Sequence, residues 1–309
     1  MSPRFSIVAP AFNEAASLPE FIERVSAAME GREWELLVVD DGSSDGTDQI
    51  LLEHAEKDKR IKPLLFARNF GHQIAVTAGM DYADGDAIII IDADLQDPPE
   101  VIPGLIEKWE EGFEVVYATR AERQGESFFK RFTAAFFYRL INRITAIDIP
   151  LDTGDFRLMD RRVVQVLNTM REHHRFLRGM SAWVGFRQVG VPYQRAPRFA
   201  GETHYTLRKM LQLATTAITG FSFFPLQVAT FLGFLSAGIA TVAIPVVVTL
   251  RLMGNQAFFG QATTLIAVLF FGGVQLISLG ILGEYIGRLY DEARGRPLYI
   301  LRNPPDSKK

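Results

Sequence analysis

Two stretches toward the end of the sequence restrict its fold more than any other: residues 228–250 and 262–283, 23 and 22 residues long, carry no charged side chain. Across residues 221–287 the only charged groups are Arg251 and Glu284. As a helix, each run can cross a hydrocarbon core of roughly 30 Å. A buried helical hairpin of a soluble protein is the competing arrangement, and the lengths favour membrane spans. Pro245 inside the first run is compatible with a span, because neighbouring helices can satisfy the carbonyl it frees. Only residues 251–261 connect the runs, so both ends of the hairpin are expected on one side. Arg208 and Lys209 precede it and Arg288, Arg294 and Arg296 follow it, against a lone Arg251 in the connection. The positive-inside rule then puts both termini and everything upstream in the cytoplasm, at the inner membrane.

Charge divides the chain the same way. Residues 201–309 hold nine Lys/Arg and five Asp/Glu, a balance of +4, which leaves 24 minus 31, or −7, for the first 200. An acidic soluble part followed by a basic apolar tail points to a lipid bilayer as partner and away from nucleic acid. Cysteine is absent, which excludes disulfides, thiolate metal sites and a cysteine nucleophile. The N-terminal Met-Ser-Pro-Arg leads directly into a strand-like run, so no cleavable signal peptide is expected there.

Residues 1–200 read as repeated strand, acidic loop and helix. Strands are expected at 5–10, 34–39, 61–66, 88–91 and 113–118, with helices from Ser17 through about Met29, from about Asp48, from about His72 through Ala83, and over 101–111. Ser17-Leu-Pro19-Glu20 has the pattern of a capping box. Strands alternating with helices of this length indicate βαβ units and a mostly parallel α/β sheet, whose ligands sit at the strands' carboxyl ends. Residues 120–143 form a different texture, an expected aromatic helix bearing Arg120, Arg123, Lys130, Arg131, Arg139 and Arg143. It either binds an anion near an apolar surface or is a surface helix with an ordinary basic face. Asp155 follows in a turn that leads to a short strand. Residues 201–220 are expected to form a helix in the membrane interface.

The chemistry concentrates in Ile88-Ile-Ile-Ile-Asp92-Ala-Asp94-Leu-Gln96-Asp97-Pro98-Pro99. Four β-branched residues suit a strand covered on both faces, which would deliver Asp92 and Asp94 to a cleft. Their odd spacing puts both carboxylates on one side of an extended chain, with Gln96 continuing the row, so that together they could hold a hard divalent cation. The alternative is a solvated turn, since Asp and Pro are ordinary turn formers. Asn13, Glu14 and Asp41 can accept hydrogen bonds from a base or ribose. There is no P-loop lysine motif and no Gly-x-Gly-x-x-Gly, so a metal-bound nucleoside diphosphate is the better guess.

Val8-Ala-Pro10-Ala-Phe-Asn13-Glu14, Asp40-Asp41-Gly-Ser-Ser-Asp-Gly-Thr47, Arg68-Asn69-Phe-Gly71 and Asp92-Ala-Asp94-Leu-Gln-Asp-Pro-Pro99 resemble the signatures of family 2 glycosyltransferases of the GT-A fold. Within that family the chain is similar to the polyprenyl-phosphate glycosyltransferases, relatives of dolichyl-phosphate mannose synthase, and in particular to bactoprenol glucosyltransferases with a C-terminal pair of membrane helices. The resemblance extends to Thr153-Gly-Asp155-Phe-Arg157-Leu-Met, Arg175-Phe-Leu-Arg178-Gly and Arg198-Phe-Ala-Gly201-Glu-Thr-His-Tyr205. It implies a Rossmann-like GT-A domain over 1–200, an interfacial region over 201–225, a transmembrane hairpin over 226–287 and a cytoplasmic tail over 288–309.

The resemblance further implies that Pro10, Asn13, Glu14, Asp40, Asp41 and Arg68 line the nucleotide pocket, and that Asp92, Asp94 and Gln96 hold Mg2+ or Mn2+. Arg120 and Arg131, with Lys130 and Arg198 as weaker candidates, would meet the acceptor phosphate. Asp94, Asp155, Arg120 and Arg131 form the implied catalytic set, with His72 read as a helix-start residue. Thr203 and His204 depart from the usual Ser and basic residue, so position 204 is given no phosphate role. The implied reaction is inverting, metal-dependent transfer of a hexose from a nucleotide-sugar, UDP-glucose first, to undecaprenyl or another polyprenyl phosphate. UDP-linked aminoarabinose derivatives, other UDP-hexoses and GDP-mannose are the alternative donors. A processive synthase is disfavoured because Gln-x-x-Arg-Trp is missing. A silent nucleotide-sugar-binding scaffold is disfavoured by the intact Asp92/Asp94 pair. Glycines at 233, 238, 272, 273 and 280 would permit close helix packing and a homo-oligomer.

Overall fold

Strand and helix alternate through the first 120 residues of the computed structural model, which describes residues 4–120, 153–195, 218–253 and 261–302. The elements are β1 (Phe5–Ala11), α1 (Leu18–Ala28), β2 (Trp34–Asp40), α2 (Thr47–Lys57), β3 (Ile61–Leu65), α3 (His72–Tyr82), β4 (Ala87–Ile90), α4 (Ile102–Glu110) and β5 (Val115–Arg120). β6 (Thr153–Asp160), α5 (Arg161–Thr169), α6 (Leu177–Trp183) and β7 (Gln188–Tyr193) follow. Every residue of β1, β2 and β4 is buried, as their continuous aliphatic runs require of strands covered on both faces. The strands fall within a residue or two of the positions expected.

One local signal failed. Ser17 precedes α1 but makes no capping hydrogen bond; its hydroxyl donates instead to the Glu14 carboxylate at 2.6 Å. Pro19, two residues on, has no amide to donate to a capping hydroxyl.

The seven strands form one sheet in the order β3-β2-β1-β4-β6-β5-β7. β6 lies between β4 and β5 and is antiparallel to both, while all other pairings are parallel. This reversal brings the amino end of β6 to the edge of the sheet where the other strands finish. Ile90 pairs with Arg157, so the same antiparallel register continued by two residues sets Asp92 opposite Asp155. Asp155 is therefore the third residue of a strand and not part of a turn.

Two compact units divide the chain. Of the described residues, 4–120, 153–195 and 296–302 belong to the sheet unit and 218–253 and 261–295 to a helical unit. The helical unit contains α7 (Phe224–Leu252, 29 residues) and α8 (Gln261–Ala293, 33 residues). Within them, Phe224–Leu250 and Ile266–Ala293 are long and apolar enough to cross a membrane, with mean hydropathies of 2.2 and 2.1 and none of either window buried. α7 runs through Pro245, and Thr249 Oγ1 returns a hydrogen bond to the Pro245 carbonyl at 2.8 Å. Tyr285 of α8 donates to the Ser222 carbonyl at 2.7 Å.

Residues 296–302, beyond α8, rejoin the sheet unit. Leu301 forms an antiparallel bridge with Phe66, the Ala67 amide donates to Ile300 O, and the Arg302 amide donates to Leu65 O. Phe66 donates its own amide to Asp40 O on the β2 side. The C-terminal segment thus covers the outer edge just beyond β3, an edge strand that already contains Pro63.

Candidate active site

The carboxyl end of β4 turns sharply. Asp92 lies just past the strand, residues 93 and 94 make a turn, and Leu95 takes a left-handed φ of +59°. The fully extended row expected for Asp92, Asp94 and Gln96 is therefore not formed, because the Asp94 carboxylate accepts the Gln96 amide at 3.1 Å and closes a local turn. The alternation of faces survives all the same. Ala93, Leu95, Asp97 and Pro99 are buried, while Asp92, Asp94 and Gln96 are half-exposed. Three oxygen-bearing side chains remain on the accessible side of the loop, a donor set suited to a hard divalent cation. The buried Asp97 ties the same loop to the end of β7, accepting a hydrogen bond from the Tyr193 hydroxyl and lying 3.3 Å from Arg195 Nε.

Opposite Asp92, the Asp155 carboxylate is surrounded by donors. Arg178 Nε reaches Oδ1 at 2.8 Å, Gln73 Nε2 reaches Oδ2 at 3.0 Å, and His72 Nδ1 lies 3.8 Å away. Burial alone would raise its pKa, but Arg178 and then His72 outweigh that and hold it well below the usual carboxylate range. Arg157 is buried beneath, its guanidinium bonded to Ser181 Oγ and to Gly154 O. Burial lowers the Arg157 pKa to about 10, with Asp155 pulling the other way, so it stays charged at neutral pH.

His72 opens α3 and bridges the two carboxylates, with Nε2 2.8 Å from Asp92 Oδ1. Crowding disfavours its charged form, yet Asp92 and then Asp155 raise its pKa to about 9, although the side chain is still 42% exposed. A divalent cation at Asp92 would compete with that proton for the same carboxylate. Gln73 completes the frame by accepting the Leu177 amide at 2.9 Å, which fixes the start of α6.

The loops after β1, β2 and β3 are stitched to one another. Asn13, at φ +57°, donates its amide to Ser43 Oγ and accepts the Ser44 amide through Oδ1, both at 2.9 Å. The Glu14 amide donates to Thr47 Oγ1. Buried Asp40 accepts from the Ser43 amide, and buried Asp41 accepts from the Phe70 and Gly71 amides at 2.6 and 2.9 Å. Burial pushes both carboxyls above their ordinary pKa, more than these amides pull them down. Gly42, at φ +71°, lets the β2 and β3 loops touch backbone to backbone: a Cβ there would stand 2.6 Å from the Arg68 carbonyl carbon. Arg68 is exposed with its guanidinium 3.9 Å from the centre of the Phe70 ring.

A sheet of this order, with acidic loops gathered at one end, is what nucleotide-sugar enzymes of the resembled kind would require, and comparison with known proteins supplies the decision. Residues 6–167 match the model for glycosyl transferase family 2. The Bacillus subtilis protein YkcC, named as an uncharacterized glycosyltransferase, is 51% identical over 97% of this chain and 93% of its own length. The prophage bactoprenol glucosyl transferase homolog of Escherichia coli K12 is 42% identical and the bactoprenol glucosyl transferase of Shigella phage SfV 43%, each over 97% of this chain and 98% of the relative. The chain belongs to glycosyltransferase family 2.

This glycosyltransferase has a GT-A-like fold with a mostly parallel seven-stranded sheet. At the same end of its sheet stand Pro10 near the end of β1, Asn13, Glu14, Asp40, Asp41 and Arg68 at the first three strand ends and loops, and Asp92, Asp94, Gln96 and Asp155 farther along the sheet. Arg120 ends β5, beside Tyr193 in β7. Lys130, Arg131 and Arg198 lie outside the described residues, as do the basic aromatic helix expected beyond Arg120 and all but residues 218–220 of the interfacial helix expected over 201–220; residues 218–220 are helical. Among the described residues no three His, Asp or Glu side chains form a ready metal cage. His72, Gln73, Arg157 and Arg178 were not foreseen as site residues. Arg157 and Arg178 fall inside the quoted Thr-Gly-Asp-Phe-Arg and Arg-Phe-Leu-Arg-Gly stretches, whose basic residues had been given no role.

Proposed function

We propose that this glycosyltransferase moves glucose from UDP-glucose to the phosphate of a polyprenol, undecaprenyl phosphate in particular, with inversion at the anomeric carbon and at the cytoplasmic face of the membrane. The observation that carries this reading is the near-full-length likeness to bactoprenol glucosyl transferases, which takes in the two apolar helices as well as the sheet unit. Residues 1–200 would hold both substrates, 201–225 lie in the interface, 226–287 anchor the enzyme, and 288–309 return to the cytoplasm. An anchor suits the acceptor, because each methylene of a lipid tail left in the bilayer saves about 0.8 kcal/mol.

Asp92, Asp94 and Gln96 would hold a divalent cation, Mg2+ or Mn2+. An accessible oxygen set smaller than a full cage fits an ion that takes its remaining ligands from substrate phosphates and water. When bound, such an ion offsets charge developing on the departing diphosphate. The β1, β2 and β3 loops would bind the nucleoside, and Arg120, Arg131, Lys130 and Arg198 the acceptor phosphate, since guanidinium forks suit phosphate oxygens.

A phosphate monoester has a second pKa near ~6, so the acceptor reaches the site largely ionised. No strong base is needed, and the depressed pKa of Asp155 makes it a poor one. Its carboxylate would instead orient the reacting groups. Arg178 pairs with the Asp155 carboxylate and the Arg157 charge lies close by, so Asp155 would offer little repulsion to an anionic acceptor.

Membranes containing the enzyme, supplied with undecaprenyl phosphate and one radiolabelled nucleotide-sugar at a time, test the reading. Label from UDP-glucose should enter the lipid fraction; transfer from GDP-mannose or a UDP-aminoarabinose derivative alone would replace the donor, and no transfer from any of them would favour a scaffold. Chelation with EDTA should abolish transfer and added Mg2+ or Mn2+ restore it. Full activity of an EDTA-treated, metal-free preparation would end the metal assignment.

A further inference from the structure

The segment that follows the second apolar helix touches the end of β3 and the loop after it, at a place where nothing in the reaction requires it. Tyr299 stacks on Phe66, with ring centroids 5.4 Å apart and 14° between planes. Phe66 in turn meets Phe70 edge-on at 5.4 Å. Phe70 and Gly71 are the residues whose amides converge on the buried Asp41 carboxylate. On either side of this stack the segment is fixed to the backbone by the Ala67–Ile300 and Leu65–Arg302 hydrogen bonds. Its ends are tied as well: the Tyr299 hydroxyl donates to Asp81 at 2.8 Å, and Arg302 Nη2 lies 2.9 Å from Asp48 Oδ2 on the first turn of α2.

We infer that Tyr299 is a positioning residue for the donor nucleotide: by backing Phe66 and Phe70 it holds the 66–71 loop against Asp41 and so sets the shape of the nucleoside pocket. The alternative, that the segment merely seals a sheet edge, accounts for the two backbone bonds but not for an aromatic stack directed at the loop that carries Arg68. An unpaired edge can be closed by any extended chain. A ring seated flat on Phe66 fixes the rotamer of that side chain, and through the edge-on contact that of Phe70. The inference rests on the donor reading above for its ligand, while its mechanical part, the hold on the loop, stands apart from it.

The test uses the full chain in detergent or nanodiscs, comparing wild type with Tyr299→Ala, Tyr299→Phe and Arg302→Ala. Two quantities are read: hydrogen exchange in the peptide carrying Phe70 and Gly71, without any ligand, and affinity for UDP by calorimetry. Tyr299→Ala should speed exchange in that peptide and weaken UDP binding roughly tenfold, raising the KM for donor by a similar factor with kcat and the KM for acceptor little changed. Tyr299→Phe, which keeps the ring, should restore both. A Tyr299→Ala protein with wild-type melting temperature, unchanged exchange and unchanged UDP affinity overturns the inference. So does a fall in kcat with donor affinity intact. Should Tyr299→Ala not fold, Arg302→Ala decides on the exchange reading, faster exchange supporting the hold and unchanged exchange overturning it. Failure of the wild type itself to bind UDP removes the donor reading, and the exchange arm still decides whether the segment holds the loop.

Discussion

Asp155 is where single residues matter most, because its charge is fixed by its neighbours before any substrate arrives. Its folded pKa is depressed, so the stability it contributes is present above its unfolded value of about 3.9 and is lost as the pH falls through the folded one. Asp155→Asn leaves Arg178 facing an uncharged group, a change that costs about 3 kcal/mol when a largely buried pair is broken, while the Arg157 bond to the Asp155 backbone carbonyl is kept. The melting temperature of the variant should lie below that of wild type near pH 5 to 6, the gap should narrow as the pH rises toward 9 and His72 loses the proton that Asp155 helps to hold, and it should close in stronger acid. Turnover should fall by about 10²-fold from lost orientation. An acid limb in the kcat/KM profile that belongs to Asp155 and vanishes in the variant would instead make it a titrating base. Gly42→Ala tests the neighbouring loops: a Cβ 2.6 Å from backbone, at φ +71°, should cost about 1–3 kcal/mol and weaken UDP binding, and an unperturbed variant would mean that the loops can part freely. Asp92, Asp94 and Gln96 were legible in sequence because alternation of faces follows from backbone geometry. His72 was not, since a histidine at a helix start looks the same whether it faces solvent or two carboxylates 20 and 83 residues farther along the chain.

Between elements, α3 lies close against β1 at Gly79. A Cβ at Gly79 would stand 2.2 Å from Val8 Cγ1, so the helix rests on the strand with no room for a methyl group. Gly79→Ala should cost about 1–3 kcal/mol through overpacking, and Val8→Ala should also destabilise by leaving a gap. Combined, the two should be less damaging than their sum, because the new methyl fills the space the valine vacated. Thermal melts of the three variants measure this, and strict additivity would show that the strain is relieved elsewhere. The elements themselves were legible: aliphatic runs and Gly/Asp punctuation placed β1 to β5 within two residues. The position of β6 was not, because pairing between Ile88 and Met159 joins segments 71 residues apart and leaves no mark on local periodicity. That one unreadable pairing is what carries Asp155 to Asp92.

At the scale of the whole chain, the apolar runs of α7 and α8 were plain from the absence of charge, whereas the return of residues 296–302 to the sheet unit was hidden in a stretch too short to show a strand or helix period, which reads as a tail. The return bears on topology. A chain that leaves the sheet unit before α7 and rejoins it after α8 must make an even number of crossings, so the connection between the helices should lie on the far side of the membrane from the catalytic unit. The absence of native cysteine makes this directly measurable, since any single cysteine introduced is the sole target for a thiol reagent. In intact cells a membrane-impermeant maleimide should label Asn255→Cys, in the connection, and should label Ser307→Cys only after permeabilisation. Both variants alter polar positions outside the two spans, so activity can be retained as a control for correct insertion. Labelling of Ser307→Cys with Asn255→Cys protected in intact cells would invert the hairpin, and equal accessibility of the two sites, both labelled or both protected, would be incompatible with two crossings.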